Sequence, residues 1–395
     1  MHAPNPPPAQ MSWAASIAAA IAAIAVVGVG ISLSIPLLAL ELESRGVSGT
    51  LIGINTAVAG IATVATAPFV PQLVRRLGVR TLLIFAIVLS AASLIAFKAV
   101  ASFILWFPLR FVLGAALCVL FAVSEFWINA VAPQHRRGLI MGIYATGLSV
   151  GAALGPVILS VTGTTGWPPY LAGAAVLCLG IIPIVMARGM TPRIHESEHH
   201  GVLSFLRKSP TALLAALVFG AMETSVMSFL PLYGVRLGLG NTDAALLLTV
   251  AVLGNVAFQI PLGLVSDRID RRILLFACAL AGTIGAAILP ALDVHSVTFL
   301  VAVFLATGVV GSLYTVGLAH LGARFHGANL ASANAAFVMF YSIGLIAGPP
   351  LAGQGMDLYD PYGFAYVIAA MLGAYALLVA ARLAFGNEAL KAPGP

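Results

Sequence analysis

The sequence is short of charged residues and of cysteine. Asp, Glu, Lys and Arg make up 8% of its 395 residues, whereas hydrophobic residues make up 61%. Soluble domains are about one quarter charged and about half apolar, so this composition excludes an ordinary soluble domain and indicates a membrane protein. The three cysteines, Cys118, Cys178 and Cys278, all lie inside apolar runs. An odd number of such thiols argues against a disulfide framework and against a metal site.

Motifs of ATP-driven pumps and of hydrolases are also missing. The sequence contains no Walker loop, which excludes a primary ATP-driven pump within this chain. One G-x-S-x-G match, at residues 147–151, lies inside a continuous apolar run and not in a strand–turn–helix, so it does not indicate a hydrolase. The net charge of +6 comes from short loops between apolar runs, so it does not predict binding to nucleic acid. We expect no enzymatic activity and no cofactor.

Twelve apolar runs are long enough to cross a membrane, since a spanning helix needs roughly 20 mostly apolar residues. The runs lie near residues 13–40, 50–74, 81–99, 102–132, 138–161, 167–187, 210–235, 243–265, 273–292, 297–321, 328–353 and 361–383. The sequence therefore predicts an all-α membrane protein with twelve transmembrane helices.

The basic residues predict how this protein is oriented. Fifteen of them lie in one set of alternate connections, which includes both termini, and only Arg45, Lys98 and Arg236 lie in the other set. Cytoplasmic connections carry an excess of Lys and Arg. We therefore expect an inner-membrane protein with both termini and the central connection in the cytoplasm.

The two halves of the chain carry the same sequence marks. The charged stretch at 263–272 has a partial copy at 71–80, 192 positions earlier. A stretch of glycines followed by proline occurs at 151–156 and again at 344–349. Self-similarity at about half the chain length indicates a duplicated unit. We expect two pseudo-symmetric six-helix bundles, at residues 1–187 and 210–395, joined by a cytoplasmic linker at 188–209.

The repeated glycines and prolines predict where helices pack and bend. Small residues let helix backbones approach closely in a membrane, and proline removes a backbone donor and kinks a helix. The residues of this predicted helix-packing motif are Gly151, Gly155, Pro156, Gly344, Gly348 and Pro349.

Three motifs resemble those of the major facilitator superfamily. The pattern G-x-x-x-D-R-x-x-R-R, which begins at Gly263, resembles its cytoplasmic loop motif. Arg110-x-x-x-Gly114 resembles its intramembrane arginine motif, and the 151–156 stretch resembles the motif of its drug/proton antiporters. The chain departs from these patterns in three places: Arg75 replaces the first-half aspartate, Asp270 the second-half loop glycine, and Leu159 the closing glycine of the antiporter motif.

This resemblance implies a secondary transporter that works by alternating access, and its nearest branch implies proton-coupled export of a small organic or amphipathic molecule. Uptake or facilitated diffusion of a metabolite is the alternative within transport. A membrane sensor that does not transport, or a lipid-handling protein, is the alternative of another class. The expected partners are a small-molecule substrate, protons and the lipid bilayer, with the chain acting as a monomer.

Charged residues inside spans are costly and predict functional sites. Here they are Arg110, Glu125 and Glu223. The resemblance implies that the first, fourth, seventh and tenth spans line the central cavity, and at 1.5 Å per residue Arg110 and Glu223 lie at similar depths from one membrane face. We expect these two residues to carry proton coupling. Glu125 lies about 22 Å along its helix from Arg110, which predicts a gating role near the cytoplasmic mouth.

Two further groups are candidates for function. The charged loop residues Asp267, Arg268, Arg271 and Arg272 are expected to hold helix ends together in one conformation, since carboxylates favour helix N-termini; the alternative is a simple insertion signal. Uncharged polar residues and a histidine inside the spans are possible substrate contacts, although hydrogen bonds between helices explain them equally well. They are Asn255, Gln259, Tyr314, His320, Asn334 and Tyr341.

Overall fold

The computed structural model describes residues 10–131, 137–187, 209–325 and 327–385. Within these ranges the regular structure is entirely helical. Twelve helical segments are long and apolar enough to cross a membrane. The prediction of an all-α membrane protein with twelve spans is therefore confirmed.

We number the helices that form these spans 1 to 12 in chain order. Helices 2 and 6 are each built from two consecutive α-helices. Their bounds are Gln10–Ser44, Gly49–Thr66 with Val70–Leu77, Val79–Ala99, Phe103–Val131, Arg137–Thr162, Pro168–Leu179 with Ile181–Met186, Pro210–Arg236, Asn241–Ser266, Arg271–Ile288, Val297–Gly322, Gly327–Leu358 and Gly363–Phe385.

The chain divides into two compact units. The first comprises the described parts of residues 1–198 together with Ser225–Thr249, and the second comprises those of 199–224 and 250–395. The division falls inside helix 7, directly after Thr224. A split into six-helix bundles at 1–187 and 210–395 stays a prediction. The predicted linker at 188–209 lies outside the described residues except for Ser209.

Glycines bring helices 1 and 5 into backbone contact in the first unit. A methyl group on Gly151 would overlap the carbonyl of Ala25, and one on Gly28 would overlap the carbonyl of Leu148. Gly155 lies in the same way against Ser32 of helix 1. Because these positions have no side chain, the two helices can cross at backbone contact distance.

Helices 7 and 11 cross in the same manner within the second unit. A methyl group on Gly344 would overlap the carbonyl of Leu217, and one on Gly220 would overlap the carbonyl of Tyr341. Gly348 lies against Ala221. Each of the first two contacts repeats one from the first unit at an offset of 192 or 193 residues, so the duplicated sequence produces a duplicated helix crossing.

The prolines of the predicted packing motif lie inside helices. Pro156 is within helix 5, and Pro349 is within helix 11 next to Pro350. Each helix extends beyond its proline, to Thr162 and to Leu358 respectively. A kink at these positions stays a prediction.

We expect Gly151→Ala to destabilise the protein strongly. Its added methyl group would collide with the rigid backbone at Ala25, and overpacking of this kind costs about 1–3 kcal/mol or more. Gly142→Ala on the same helix is the matched control, because a methyl group there meets nothing within 4 Å. The measurement is the melting temperature of the purified variants in detergent. Equal melting temperatures for the two variants would contradict the close crossing.

Candidate functional site

Glu223 lies on helix 7 and is held by a tyrosine of helix 11. The hydroxyl of Tyr341 donates a hydrogen bond to Oε2 of Glu223 over 2.6 Å. The two side chains meet because Gly220, one turn before Glu223, lies against the backbone of Tyr341. Both side chains are only partly buried. The structure therefore presents a carboxylate inside a span that has a fixed hydrogen-bond donor and some remaining accessibility.

Tyr341 also belongs to a group of four aromatic rings, which we call the aromatic cluster: Phe219, Tyr314, Phe337 and Tyr341. The ring of Tyr341 stacks on that of Phe219 at a centroid distance of 6.0 Å. Tyr314 makes an edge contact with Tyr341 at 5.5 Å and with Phe337 at 5.1 Å. The two phenylalanines are buried and the two tyrosines are partly buried, so the cluster has an apolar base and an amphipathic edge beside Glu223.

Arg110 lies on helix 4 and is 1% exposed. Its Nη2 donates to Oγ1 of Thr56 on helix 2 over 3.2 Å, while Nε and Nη1 have no hydrogen-bond partner within the described protein. The structure thus gives Arg110 and Glu223 separate partners, Thr56 and Tyr341, each within its own unit. A direct pair between Arg110 and Glu223 stays a prediction.

The remaining predicted polar residues lie on helices 4, 8, 10 and 11. Asn255 and Gln259 bond to each other over 3.0 Å along helix 8, with the amide nitrogen of Gln259 as donor. Asn334 is partly buried in helix 11 and its side-chain oxygen has no partner in the described protein. His320 is partly buried near the end of helix 10, and Glu125 is exposed on helix 4.

The charged loop between helices 8 and 9 contains local ion pairs. Asp267 is 70% exposed and lies 3.4 Å from Nη2 of Arg271, while Arg268 is exposed. Asp270 caps helix 9, because its carboxylate accepts from the backbone N–H of Arg272 over 2.9 Å and pairs with the Arg272 guanidinium over 2.8 Å. Each of these contacts lies within one hairpin. The predicted role of this loop, to hold helix ends together in one conformation, therefore stays a prediction.

The cap makes the stability of helix 9 depend on pH. The hydrogen bond from the Arg272 side chain, supported by its backbone N–H and by the charges of Arg272 and His320, holds the pKa of the Asp270 carboxyl below its ordinary value despite some burial. A lowered pKa in the folded state means that the stabilisation is present above the unfolded pKa, near 4, and is lost as the pH falls through the folded pKa.

We therefore expect Asp270→Ala to lower the free energy of unfolding by about 0.5–2 kcal/mol at neutral pH, the usual cost of losing an N-cap. Asp270→Asn should lower the free energy of unfolding by less, because an amide oxygen can still accept a hydrogen bond from the backbone N–H of Arg272. The measurement is thermal unfolding at neutral and at acidic pH. A stability difference between wild type and Asp270→Asn that persists in strong acid would contradict the assigned role of the charge.

A second group of charges lies at the ends of helices 1, 3 and 7. Glu41, which is 8% exposed, pairs with Arg45 over 2.9 Å and with Lys98 over 3.1 Å. Glu43 pairs with Arg236 through two bonds of 2.7 and 3.1 Å. Arg45, Lys98 and Arg236, the three basic residues predicted to lie outside the cytoplasm, are therefore each paired with a carboxylate. Hydropathy and motif arguments do not reveal the pairs of Glu41 with Lys98 and of Glu43 with Arg236, since these residues are 57 and 193 positions apart in the sequence.

Comparison with known proteins now decides the family. A model of the Major Facilitator Superfamily matches residues 17–246 and 212–394. The chain belongs to the major facilitator superfamily. Members of this family are secondary transporters and not enzymes, so this chain is a multi-pass membrane transporter.

Relatives and solved structures agree with this assignment. The chain is 24% identical over 340 residues to the uncharacterized MFS-type transporter YfkF of Bacillus subtilis (strain 168), covering 84% of this chain and 86% of the relative. Similar structures include the nucleoside transporter NupG, with a TM-score of 0.75 at 13% identity and 94% and 98% coverage of the two chains. The D-xylose-proton symporter has a TM-score of 0.71 at 16% identity, with 92% and 96% coverage. At such identities the structural likeness shows the fold alone.

Proposed function

We propose that this transporter couples the export of a small organic, amphipathic molecule to the movement of protons, with Glu223 as the proton carrier. The observation that carries the proposal is the position of Glu223: a carboxylate inside an apolar span, bonded to Tyr341 and still partly accessible. Ionisable residues within spans are expensive and mark ion and proton pathways. One hydrogen bond from a phenol leaves the second carboxylate oxygen free of that donor, so the group can accept a proton.

The aromatic cluster is proposed to contact the apolar part of the substrate. Tyr314 and Tyr341 combine partly exposed rings with polar hydroxyl groups, and such side chains suit a molecule that has both apolar and polar parts. Tyr341 also bonds to Glu223, so a molecule in contact with its ring would sit beside the proposed proton carrier. This arrangement supports coupling, because substrate and proton would affect one another through Tyr341.

Export is proposed as the direction because the 151–156 stretch resembles the drug/proton antiporter motif. In this chain the glycines of that stretch bring helix 5 against helix 1. Substrate would be exposed to each side in turn as helices move. Arg110 would supply a fixed positive charge, since a guanidinium stays protonated, while Glu125 and the charged loop at 263–272 would act in gating. The chain is proposed to function as a monomer.

The function is tested in proteoliposomes with a radiolabelled compound chosen because it stabilises the purified protein in a ligand screen. An imposed pH gradient should accelerate flux of that compound. Collapse of the gradient by a protonophore should return flux to the rate measured without a gradient. Flux that is unaffected by the gradient would indicate a facilitator and would contradict proton coupling.

The proposed location is the inner membrane, with both termini in the cytoplasm. The distribution of basic residues supports this orientation, because fifteen of them lie in one set of alternate connections and only Arg45, Lys98 and Arg236 lie in the other. An excess of Lys and Arg marks cytoplasmic connections, and acidic residues contribute little to this bias.

We expect cysteine labelling to show this orientation. His295→Cys and Leu77→Cys, each in a background without native cysteines, place a thiol at an exposed position between helices 9 and 10 and at the end of helix 2, respectively. A membrane-impermeant maleimide added to whole cells should label the first variant, and should label the second only after the inner membrane is permeabilised. Labelling of both variants from the same side would contradict the twelve-span orientation.

A further inference from the structure

Arg110 is held against helix 2 by the tight crossing of helices 2 and 4. Gly114, one turn after Arg110, lies against the backbone of Ala59, where a methyl group would overlap it. Thr56 lies one turn before Ala59, and its hydroxyl accepts from Arg110 over 3.2 Å. The guanidinium is buried beside this crossing, with Arg110 1% exposed.

The polar groups at this crossing are not satisfied by the described protein. A guanidinium has five N–H donors, and in Arg110 neither Nε nor Nη1 has a hydrogen-bond partner. Asn55, which precedes Thr56 and is 1% exposed, has no partner for its side-chain oxygen or for its side-chain nitrogen. Leaving a charge and an amide buried without partners costs several kcal/mol, because both groups lose their hydration.

The acids described in the first unit do not neutralise Arg110. Glu41 and Glu43 are paired with basic side chains at the end of helix 1. Glu125 is about 22 Å along helix 4 from Arg110 and is exposed. Asp243 is exposed in the first turn of helix 8. The buried positive charge therefore lacks a counter-ion among the described residues of its own unit.

We propose that Arg110 and Thr56 bind an anionic group of the transported substrate, a carboxylate or a phosphate. The planar guanidinium matches such groups through paired N–H bonds, and the hydroxyl of Thr56 supplies a further donor. Because Arg110 is buried, the anion reaches it when helices move apart during transport. The inference rests on the proposed transport function, to which it adds the chemical class of the substrate.

Binding is tested with matched probes on the purified full chain in nanodiscs of phosphatidylcholine. The probes are benzoate with benzamide, 3-phenylpropionate with 3-phenylpropanamide, and phenyl phosphate. We expect at least one anion to raise the melting temperature. Where that anion is a carboxylate, its neutral amide should need at least a tenfold higher concentration for the same rise. In Arg110→Gln the difference between acid and amide should disappear. Equal effects of acid and amide on wild type would overturn the proposal.

A second variant tests the site without any probe. Thr56→Asp places a carboxylate close to Nη2 of Arg110, where it would act as a built-in anion, and Thr56→Asn is its neutral control of the same shape. Thr56→Asp should melt at a higher temperature than Thr56→Asn, and the anionic probes should no longer stabilise it. If no probe stabilises wild type and Thr56→Asp is no more stable than Thr56→Asn, the proposal is wrong.

One further arm separates substrate from lipid. If anionic phosphatidylglycerol in the nanodisc stabilises wild type but not Arg110→Gln, while the soluble anions do not, the anion is a lipid headgroup and the assignment to substrate is wrong. All of these measurements are made at equilibrium without a pH gradient. If the binding measurements contradict the anion site, the proposal of proton coupling through Glu223 still stands. If transport shows no proton coupling, the expected results of the binding measurements do not change.

Discussion

Replacing Glu223 by glutamine is expected to abolish transport driven by a pH gradient while substrate exchange continues. Glutamine has the shape of the protonated acid and its side-chain oxygen can still accept the hydrogen bond from Tyr341, so the packing of helices 7 and 11 should survive. The variant cannot bind or release a proton. We expect gradient-driven flux in proteoliposomes to fall to the level of empty vesicles, with counterflow of the same compound within a few-fold of wild type.

Two other variants sharpen this experiment. Asp293→Asn makes the same acid-to-amide change at an exposed acid between helices 9 and 10 and serves as the matched control, which should keep gradient-driven flux. Tyr341→Phe keeps the ring that stacks on Phe219 but removes the hydroxyl, so it should change the pH dependence of flux and not its existence. Coupling like that of wild type in Glu223→Gln would eliminate this carboxylate as the proton carrier and direct attention to His320 and Glu125.

The twelve spans could be predicted from the sequence because a membrane demands long apolar helices. The exact helix ends could not be predicted in the same way. The first run is predicted to end near residue 40, and helix 1 continues to Ser44, where the carboxylates of Glu41 and Glu43 have basic partners. Helix 11 likewise runs to Leu358, beyond the predicted end near 353, and packs through Gly355 against Gly363 of helix 12.

The charged members of the candidate site could also be identified, because charge inside a span is rare. Their partners could not be identified. Thr56 is 54 positions from Arg110, and Tyr341 is 118 positions from Glu223. Periodicity shows which residues share a face of one helix, but it does not show which other helix that face meets. Phe219 and Phe337, the base of the aromatic cluster, were not predicted for the same reason.

Asp270 illustrates a different limit. At the sequence level it is only a departure from the family's loop motif, where a glycine is expected. The structure shows that its carboxylate caps helix 9 and pairs with Arg272. Asp is a favoured N-cap residue, and Arg272 two positions later is close enough to pair with it. A capping rule applied to this loop would have found the role that the motif comparison missed.

Reversing the charge of Glu43 is expected to lower flux at least tenfold and to lower stability, and a second reversal at Arg236 is expected to restore both. Within the first unit this pair joins the end of helix 1 to the end of helix 7 through a two-bond fork. The two side chains are 19% and 18% exposed. Exposed pairs contribute up to about 1 kcal/mol and breaking a buried pair costs about 3–5 kcal/mol. We therefore expect Glu43→Arg to lower the free energy of unfolding by about 1–3 kcal/mol.

The same pair should affect transport because it links helices from the two halves of the sequence. An ion pair that differs in strength between two conformations shifts the equilibrium between them, so its loss should lower flux at least tenfold. The measurements are melting temperature and flux for Glu43→Arg, Arg236→Glu and the reversed double variant, analysed as a double-mutant cycle. Asp293→Arg, at an exposed acid between helices 9 and 10, is the control and should behave like wild type. A double variant no better than its two single variants would show that the pair does not couple helix 1 to helix 7.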